Sequence, residues 1–143
     1  MRNLETLIKL QKTKVDEQRV VLAKIQKQLD DVIATIFSIE EEKKMQEELL
    51  HEMPDLSMTY GDYMEHFLEV KKQLEKQKDA LSYTMELARD QLAELFEEQK
   101  RYEISLQNKL DEIEQERKRR ERLELDELGG IAHERRKKQR KAS

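Results

Sequence analysis

The fold of this chain depends on the stretch Met53-Pro54-Asp55-Leu56-Ser57-Met58-Thr59-Tyr60-Gly61, which holds the only proline and the only glycine before the pair Gly129-Gly130. Proline lacks a backbone N–H and disfavours a helical conformation in the residue before it, so a helix arriving from the N-terminal side should end here. Thr59 can then cap a second helix, with Asp62 near the positive end of that helix. We therefore predict a helix, a tight turn and a second helix; one kinked helix is the alternative.

The composition favours long helices over a globular core. Of the 143 residues, 42% are charged and 36% hydrophobic, with no tryptophan and three glycines. Such a chain lacks the apolar residues for a globular core, whereas packed helices need only an apolar seam. The absence of cysteine excludes a disulfide framework and a thiolate zinc site, and it agrees with a reducing compartment. No apolar run approaches the roughly 18 residues of a membrane span, and no signal-peptide core is present, so we expect a cytoplasmic protein.

Apolar residues follow a heptad repeat on both sides of the turn. In residues 4–53, eleven of fifteen seam positions are apolar, and the exceptions are Gln11, Gln18, Lys43 and Gln46. A second register through residues 64–113 is also apolar at eleven of fifteen positions. Such a stripe must pack against another helix, and a short turn allows the two stripes to cover each other. We predict an all-α fold, a long antiparallel two-helix coiled-coil hairpin with helix one at about 3–53, a turn at 54–59 and helix two at about 60–128.

The second helix is predicted to extend beyond the first. Reflection of the chain about the turn places Leu4 opposite about Asn108. Helix one should therefore pack against helix two only up to about residue 110. An apolar helical pattern continues to Leu128, and Gly129-Gly130 then predicts a C-terminal stop. About 15 to 20 residues should project as a helical overhang, roughly 25 to 30 Å. We expect residues 129–143 to form a basic, disordered tail.

Charge is distributed unevenly although the net charge is −4. Residues 1–28 contain seven Lys/Arg against three acidic residues, and residues 114–143 contain eleven against seven. Residues 40–55 around the start of the turn contain seven acidic residues against two lysines. A hairpin would therefore have a basic terminal end and an acidic tip, which could orient it between partners of different charge.

The sequence contains no constellation typical of an enzyme. His51, His66 and His133 lack a second ligand at metal-binding spacing, and no glycine-rich phosphate loop is present. We predict a non-enzymatic protein without a cofactor or metal. Near the turn, Tyr60 and Tyr63 precede Phe67 at helical spacing; core packing is the default interpretation, and exposure of one tyrosine for partner binding at the hairpin tip is the hypothesis.

The C-terminal part of helix two is the stronger candidate for function. It has a basic turn, Arg117-Lys118-Arg119-Arg120, followed by Leu123, Leu125 and Leu128 among acidic residues. These leucines do not share one helix face, so a single neighbouring helix would leave some of them in water. A ring or socket would bury them all, while a frayed helix end is the other interpretation. The tail could bind nucleic acid or anionic lipid through its charges, but no nucleic-acid motif is present and we predict no nucleic-acid partner.

Several short motifs resemble the FliJ and YscO family of bacterial type III export proteins. They are Leu4-Glu5-Thr6-Leu7-Ile8-Lys9-Leu10, Val15-Asp16-Glu17-Gln18-Arg19, the Tyr60 and Tyr63 pair, Leu125-Asp126-Glu127-Leu128-Gly129 and His133-Glu134-Arg135-Arg136. The similarity spans essentially the whole chain. It departs from the family at Gly130 and in the long Arg/Lys tail after Arg136, which leaves the end of the inserted helix open.

The resemblance implies an antiparallel two-helix stalk whose terminal end enters the hexameric export ATPase. It further implies contacts with the cytoplasmic domain of the export gate and with export chaperones, at the cytoplasmic face of the inner membrane. On this basis the predicted ATPase-ring residues are Arg117, Arg119, Arg120, Leu123, Leu125, Asp126, Glu127, Leu128, Arg135 and Arg136. The predicted function is a monomeric stalk and adaptor of flagellar type III export; the alternatives are a structural tether or homodimer, or a nucleic-acid or lipid binder acting through the basic tail.

Overall fold

A computed structural model describes residues 2–142 of the chain. The elements are helix α1 (Arg2–Glu52), a short 3₁₀ turn (Pro54–Leu56) and helix α2 (Ser57–Ala142). No strand occurs in residues 2–142. The predicted all-α helical hairpin is therefore confirmed. The chain divides into two compact units, Gln11–Glu97 and Met1–Leu10 with Glu98–Ser143.

The turn forms for the reason that the sequence predicts. Met53 leaves the helical region, with φ −127° and ψ 81°, directly before Pro54. Two backbone hydrogen bonds close the turn, because the N–H of Met53 donates to the carbonyl of Leu49 at 2.8 Å and the N–H of Leu56 donates to the carbonyl of Met53 at 3.2 Å. The chain is thus two helices and not one kinked helix.

The start of α2 differs from the prediction. The helix begins at Ser57, and the Thr59 hydroxyl donates to the carbonyl of Leu56 at 2.8 Å inside the first turn. Thr59 is therefore not the capping residue. The proline already holds the 3₁₀ turn in a helix-like conformation, so α2 can follow immediately after Leu56.

In the unit Gln11–Glu97 the two helices run antiparallel and share the predicted seam. Hydrogen bonds join Gln11 to Leu95 and Gln18 to Ala88, so advancing along α1 corresponds to retreating along α2. Every predicted seam position in residues 11–50 and 64–95 is buried or half-buried. The core contains Val15, Leu29, Ile36, Phe67, Met85 and Ala88. The heptad prediction is wrong at Met53, which it places in the seam. Met53 is 56% exposed because the chain leaves the helix there.

In the other unit, Leu106 is the last residue of the predicted α2 seam that is half-buried. Ile8 is buried, and Asn3, Leu4 and Leu7 line a shallow groove with Ser105 and Lys109. This agrees with the predicted pairing of Leu4 near residue 108. From residue 107 to residue 141 every side chain is exposed except Glu116.

The C-terminal boundary also differs from the prediction. α2 does not stop at Leu128 but continues through Gly129 and Gly130 to Ala142. Neither glycine has a positive φ, so the left-handed conformation of a C-terminal cap is absent. Glycine only weakens a helix interior by about 1 kcal/mol, and the flanking Arg, Lys, Leu and Glu residues favour helix. Residues 129–142 are accordingly helical in this structure and not an irregular tail.

Within residues 2–142, neither helix contains a segment long and apolar enough to cross a bilayer.

Candidate functional site

The part of α2 that α1 leaves uncovered presents apolar side chains to solvent. We call residues 107–142 the overhang. Its exposed apolar residues are Leu110, Ile113, Leu123, Leu125, Leu128 and Ile131. Leu125 is 67% exposed, although leucine is among the residues most often found inside proteins. The overhang therefore offers several apolar contact points without an intramolecular cover.

The leucines at positions 123, 125 and 128 point to different sides of the helix. At 100° per residue, Leu125 and Leu128 lie about 60° apart, whereas Leu123 lies about 140° to 160° from both. A single flat partner surface could contact Leu125 and Leu128 together but would leave Leu123 in water. A partner that surrounds the helix could contact all three.

The overhang also loses the seam that characterises the rest of the hairpin. Continuing the α2 register past Ile113 gives Glu116, Arg120, Leu123, Glu127, Gly130 and Glu134. Only one of these six positions is apolar, so the overhang is not suited to pair with another helix as α1 and α2 pair. A protein that bound the overhang would have to recognise a different arrangement of groups.

Ion pairs within the helix hold the arginines of the basic turn. Arg117 pairs with Glu114 at 2.7 Å and with Glu121 at 2.5 Å. Arg119 and Arg120 share Glu116, at 3.0 and 3.5 Å. All these side chains are at least partly exposed, so the pairs add little to stability but restrict where the guanidinium groups lie.

These contacts shift the acid–base equilibria of the paired groups. The hydrogen bond and the charge of Arg117 lower the pKa of Glu114, and those of Arg119 lower the pKa of Glu116. The same hydrogen bonds raise the pKa of Arg117 and of Arg119. Both carboxylates therefore stay ionised at any pH near neutrality, and this turn presents fixed charges of both signs.

Four further charged residues of the overhang form no ion pair within residues 2–142, namely Lys118, Arg122, Asp126 and Glu127. Lys118 and Arg122 lie along one side of the helix with Leu123 and Asp126. Glu127, on the next turn, is also exposed. These groups are free to pair with a partner that approaches this side of α2.

Arg135 and Arg136 begin the basic C-terminal end. Both are exposed and form no ion pair among the described residues. Together with the following lysines they leave the last turns of α2 strongly positive. An anionic surface would attract this end over a distance of about one Debye length, roughly 10 Å at moderate salt.

The tip of the hairpin is the second surface of interest. Tyr60 and Tyr63 are half-buried, with ring centroids 6.2 Å apart, and the Tyr60 hydroxyl donates to Glu47 at 3.0 Å. The pKa of Tyr60 is raised, mainly by partial desolvation and secondarily by this hydrogen bond. The pKa of Tyr63 is also raised, mainly by desolvation and secondarily by the negative charge of Glu42.

Sequence reasoning missed the most exposed apolar side chains at the tip. Met58 is 91% exposed, and Leu56 and Leu49 are also open to solvent. Leu49, Leu50, Leu56 and the two tyrosines line a small groove. The signal that could have revealed this surface is the position of Met58 in the turn, outside both heptad registers.

No group of His, Asp or Glu side chains in residues 2–142 is arranged to hold a metal ion. The overhang and the tip offer apolar side chains, hydrogen-bonding groups and charges for non-covalent recognition.

Comparison with protein families matches residues 1–138 to the family described as Flagellar FliJ protein. No curated protein matches the chain. No solved structure matches it either.

Proposed function

We propose that this chain, which belongs to the FliJ family of flagellar proteins, is a non-enzymatic stalk and adaptor of flagellar type III export. In this proposal the overhang enters the central opening of the hexameric export ATPase. Family membership implies a role in flagellar export, and the resemblance of the sequence motifs suggests the ATPase as the partner. The surfaces of the hairpin suggest how each contact could be made.

The observation that carries the proposal is the arrangement of Leu123, Leu125 and Leu128 on an uncovered helix. Apolar anchors on several sides of one helix suit a partner that encloses it, as a ring does. Binding energy at protein interfaces is concentrated in a few such anchors. The three leucines are thus the proposed anchors of the ATPase contact.

The charged residues around the leucines could orient the overhang in the ATPase ring and speed its association with the ring. Arg117, Arg119 and Arg120 are held by neighbouring glutamates, and Asp126 and Glu127 remain available for pairing with a partner. Arg135 and Arg136 would accelerate approach to an anionic ring surface. Such charges contribute mainly to specificity and to the association rate.

The tip supports a second contact. Tyr60 and Tyr63 form part of a groove beside Met58, within a region rich in Glu and Asp. We propose that this surface contacts the cytoplasmic domain of the export gate or an export chaperone. A protein with one surface on the overhang and another at the tip would couple the ATPase to these components at the cytoplasmic face of the inner membrane.

The buried seam favours a monomer over the alternative of a homodimeric tether. In the unit Gln11–Glu97 each helix already buries its predicted stripe against the other helix of the same chain. No apolar seam is left in that unit to pair with a second copy. Sedimentation at micromolar concentration should therefore detect a monomer.

Deletion of residues 114–143 tests the proposed function. The truncated chain should keep most of its far-UV circular dichroism, because the covered part of α2 ends at Leu106. It should lose binding to the purified export ATPase and any stimulation of ATP hydrolysis. A matched control is Leu87→Ala, which removes an exposed leucine outside the overhang. Unchanged ATPase binding by the truncated chain would refute the proposal.

A further inference from the structure

Two glutamines occupy seam positions where the heptad repeat predicts apolar residues. Gln11 is only 2% exposed, less than any apolar residue of the core, and its Nε2 donates to the carbonyl of Leu95 at 3.1 Å. The Nε2 of Gln18 donates to the carbonyl of Ala88 at 3.0 Å and to Oε1 of Gln91 at 3.2 Å. No buried side-chain N or O atom in the described part of the chain lacks a hydrogen-bond partner. Both amides are thus satisfied in this arrangement.

The two hydrogen bonds record the same offset between the helices. Moving one heptad forward along α1, from Gln11 to Gln18, corresponds to moving one heptad back along α2, from Leu95 to Ala88. Ala88 is the only small side chain among the thirteen seam positions of residues 64–106. A small residue leaves room for the Gln18 amide to reach the main chain of α2.

Other registers change which residues lie opposite the two glutamines. A shift of one heptad in one direction would place Gln18 opposite Leu81, and a shift in the other direction would place Gln11 opposite Tyr102. In the first case Gln18 would lose the small Ala88 side chain that now lies opposite it, and in the second case Gln11 would have the Tyr102 ring in place of Leu95. Shifts by other numbers of residues would move the layers of the two seams out of alignment, because each seam repeats every seven residues.

We propose that Gln11 and Gln18 act together as register-setting residues that select one offset between α1 and α2. An apolar heptad seam repeats itself and so discriminates weakly between offsets that differ by one heptad. A polar residue at a seam position is known to specify register at some cost in stability. The pair selects more strongly than either glutamine alone, since each shifted register disturbs a different member.

The offset has a consequence for the length of the overhang. A change of one heptad alters by seven residues, about 10 Å, the length of α2 that lies without α1 beside it. The inference concerns the register of the hairpin and does not depend on the proposed ATPase contact. Its test therefore uses the protein alone.

The absence of cysteine allows spin labels to be placed at two engineered positions only. Lys24→Cys and Glu86→Cys lie at exposed sites outside the seam, one on each helix of the unit Gln11–Glu97. Pulsed electron–electron double resonance then reports the distance between them. The test variant combines Gln11→Leu and Gln18→Leu, and the matched control combines Gln28→Leu and Gln73→Leu at exposed positions.

The labelled parent and the control should each give one distance population. The test variant should remain helical and gain a second population from molecules in a shifted register. Ala88→Leu, which fills the space used by Gln18, should also produce the second population. A single, unchanged distance in the Gln11→Leu/Gln18→Leu variant would overturn the proposal. Loss of helix content in that variant would overturn it as well, because the glutamines would then be needed for folding and not for the choice of register.

Discussion

Replacement of Phe67 by alanine should destabilise the hairpin far more than the same change at its neighbour Leu68. Phe67 lies in the seam and is 5% exposed, whereas Leu68 lies beside the seam and is 55% exposed. The amino groups of Lys43 and Lys71 lie 5.3 and 6.0 Å from the centre of the Phe67 ring. The aromatic side chain thus provides both apolar burial and two cation–π contacts.

The expected cost of Phe67→Ala is about 3 kcal/mol in the free energy of unfolding. Truncation of a buried phenylalanine typically costs about 3 to 5 kcal/mol, and a seam only one layer deep lets water enter the cavity, which favours the lower value. Leu68→Ala should cost less than about 1 kcal/mol because it removes mostly exposed surface. Phe67→Leu keeps apolar volume but removes the ring, so about 1 kcal/mol is expected from the lost cation–π contacts and imperfect packing.

Urea unfolding followed by far-UV circular dichroism measures these three costs in one series. The order Phe67→Ala, Phe67→Leu, Leu68→Ala, from largest to smallest, supports the seam as described. Equal costs for Phe67→Ala and Leu68→Ala would refute it, because the repeat would then not separate the covered face from the exposed face.

Three further predictions concern the overhang and the tip. Gly129→Ala and Gly130→Ala should each stabilise the last turns of α2 by up to about 1 kcal/mol, because a Cβ would meet nothing within 4 Å at either site. Amide hydrogen exchange of residues 125–142 should then slow. Faster exchange would indicate a glycine cap instead. Glu114 and Glu116 should titrate below the ordinary carboxyl pKa of 4.5 in a carbon-detected NMR titration. Because the pKa values of these two carboxyls are lowered in the helix, their contribution to helicity is complete above pH 4.5 and is lost as the pH falls through the lowered values. Midpoints at or above 4.5 for both would contradict the ion pairs. Tyr60→Phe should remove the hydrogen bond to Glu47 with only a small loss of stability in urea unfolding, because this bond is open to solvent; a large loss would mean that the tip is more tightly packed than described.

The helical pairing could be predicted because it depends on a strong periodic signal. Two stripes of equal length and a proline between them determine which faces meet, and the seam extends to Leu106 much as the reflection about the turn implies. Even the polar exceptions Gln11 and Gln18 lie in the seam. What periodicity could not supply is how their amides are satisfied, since this requires the three-dimensional offset between the helices.

The boundaries were harder to predict because local signals compete there. Gly129-Gly130 resembles a stop signal, but in the structure the neighbouring helix-forming residues prevail and the glycines stay helical. Thr59 resembles a cap for a helix that starts at about residue 60, but the 3₁₀ turn lets α2 begin at Ser57, three residues earlier. Met53 fits the heptad by number, yet the helix has already ended before it.

The charged turn of the overhang was predictable only in part. The spacing of Glu114 and Glu116 before Arg117, Arg119 and Arg120 suits ion pairs along a helix, and the structure contains them. The different directions of Leu123, Leu125 and Leu128 also follow from helical spacing. The partner of these residues does not follow from the chain alone, because recognition depends on the complementary surface.

The most direct test of the account is the affinity of the purified export ATPase hexamer for three single variants, Leu123→Ala, Leu125→Ala and Leu128→Ala, with Leu87→Ala as the control. If the ATPase encloses the overhang, each of the three should weaken binding by about tenfold, equivalent to about 1.4 kcal/mol, and the control should bind as the parent does. Leu123 is diagnostic because it lies on the side of the helix away from the other two. Normal binding by Leu123→Ala, with losses only at Leu125 and Leu128, would contradict enclosure and indicate a partner on one side of the helix.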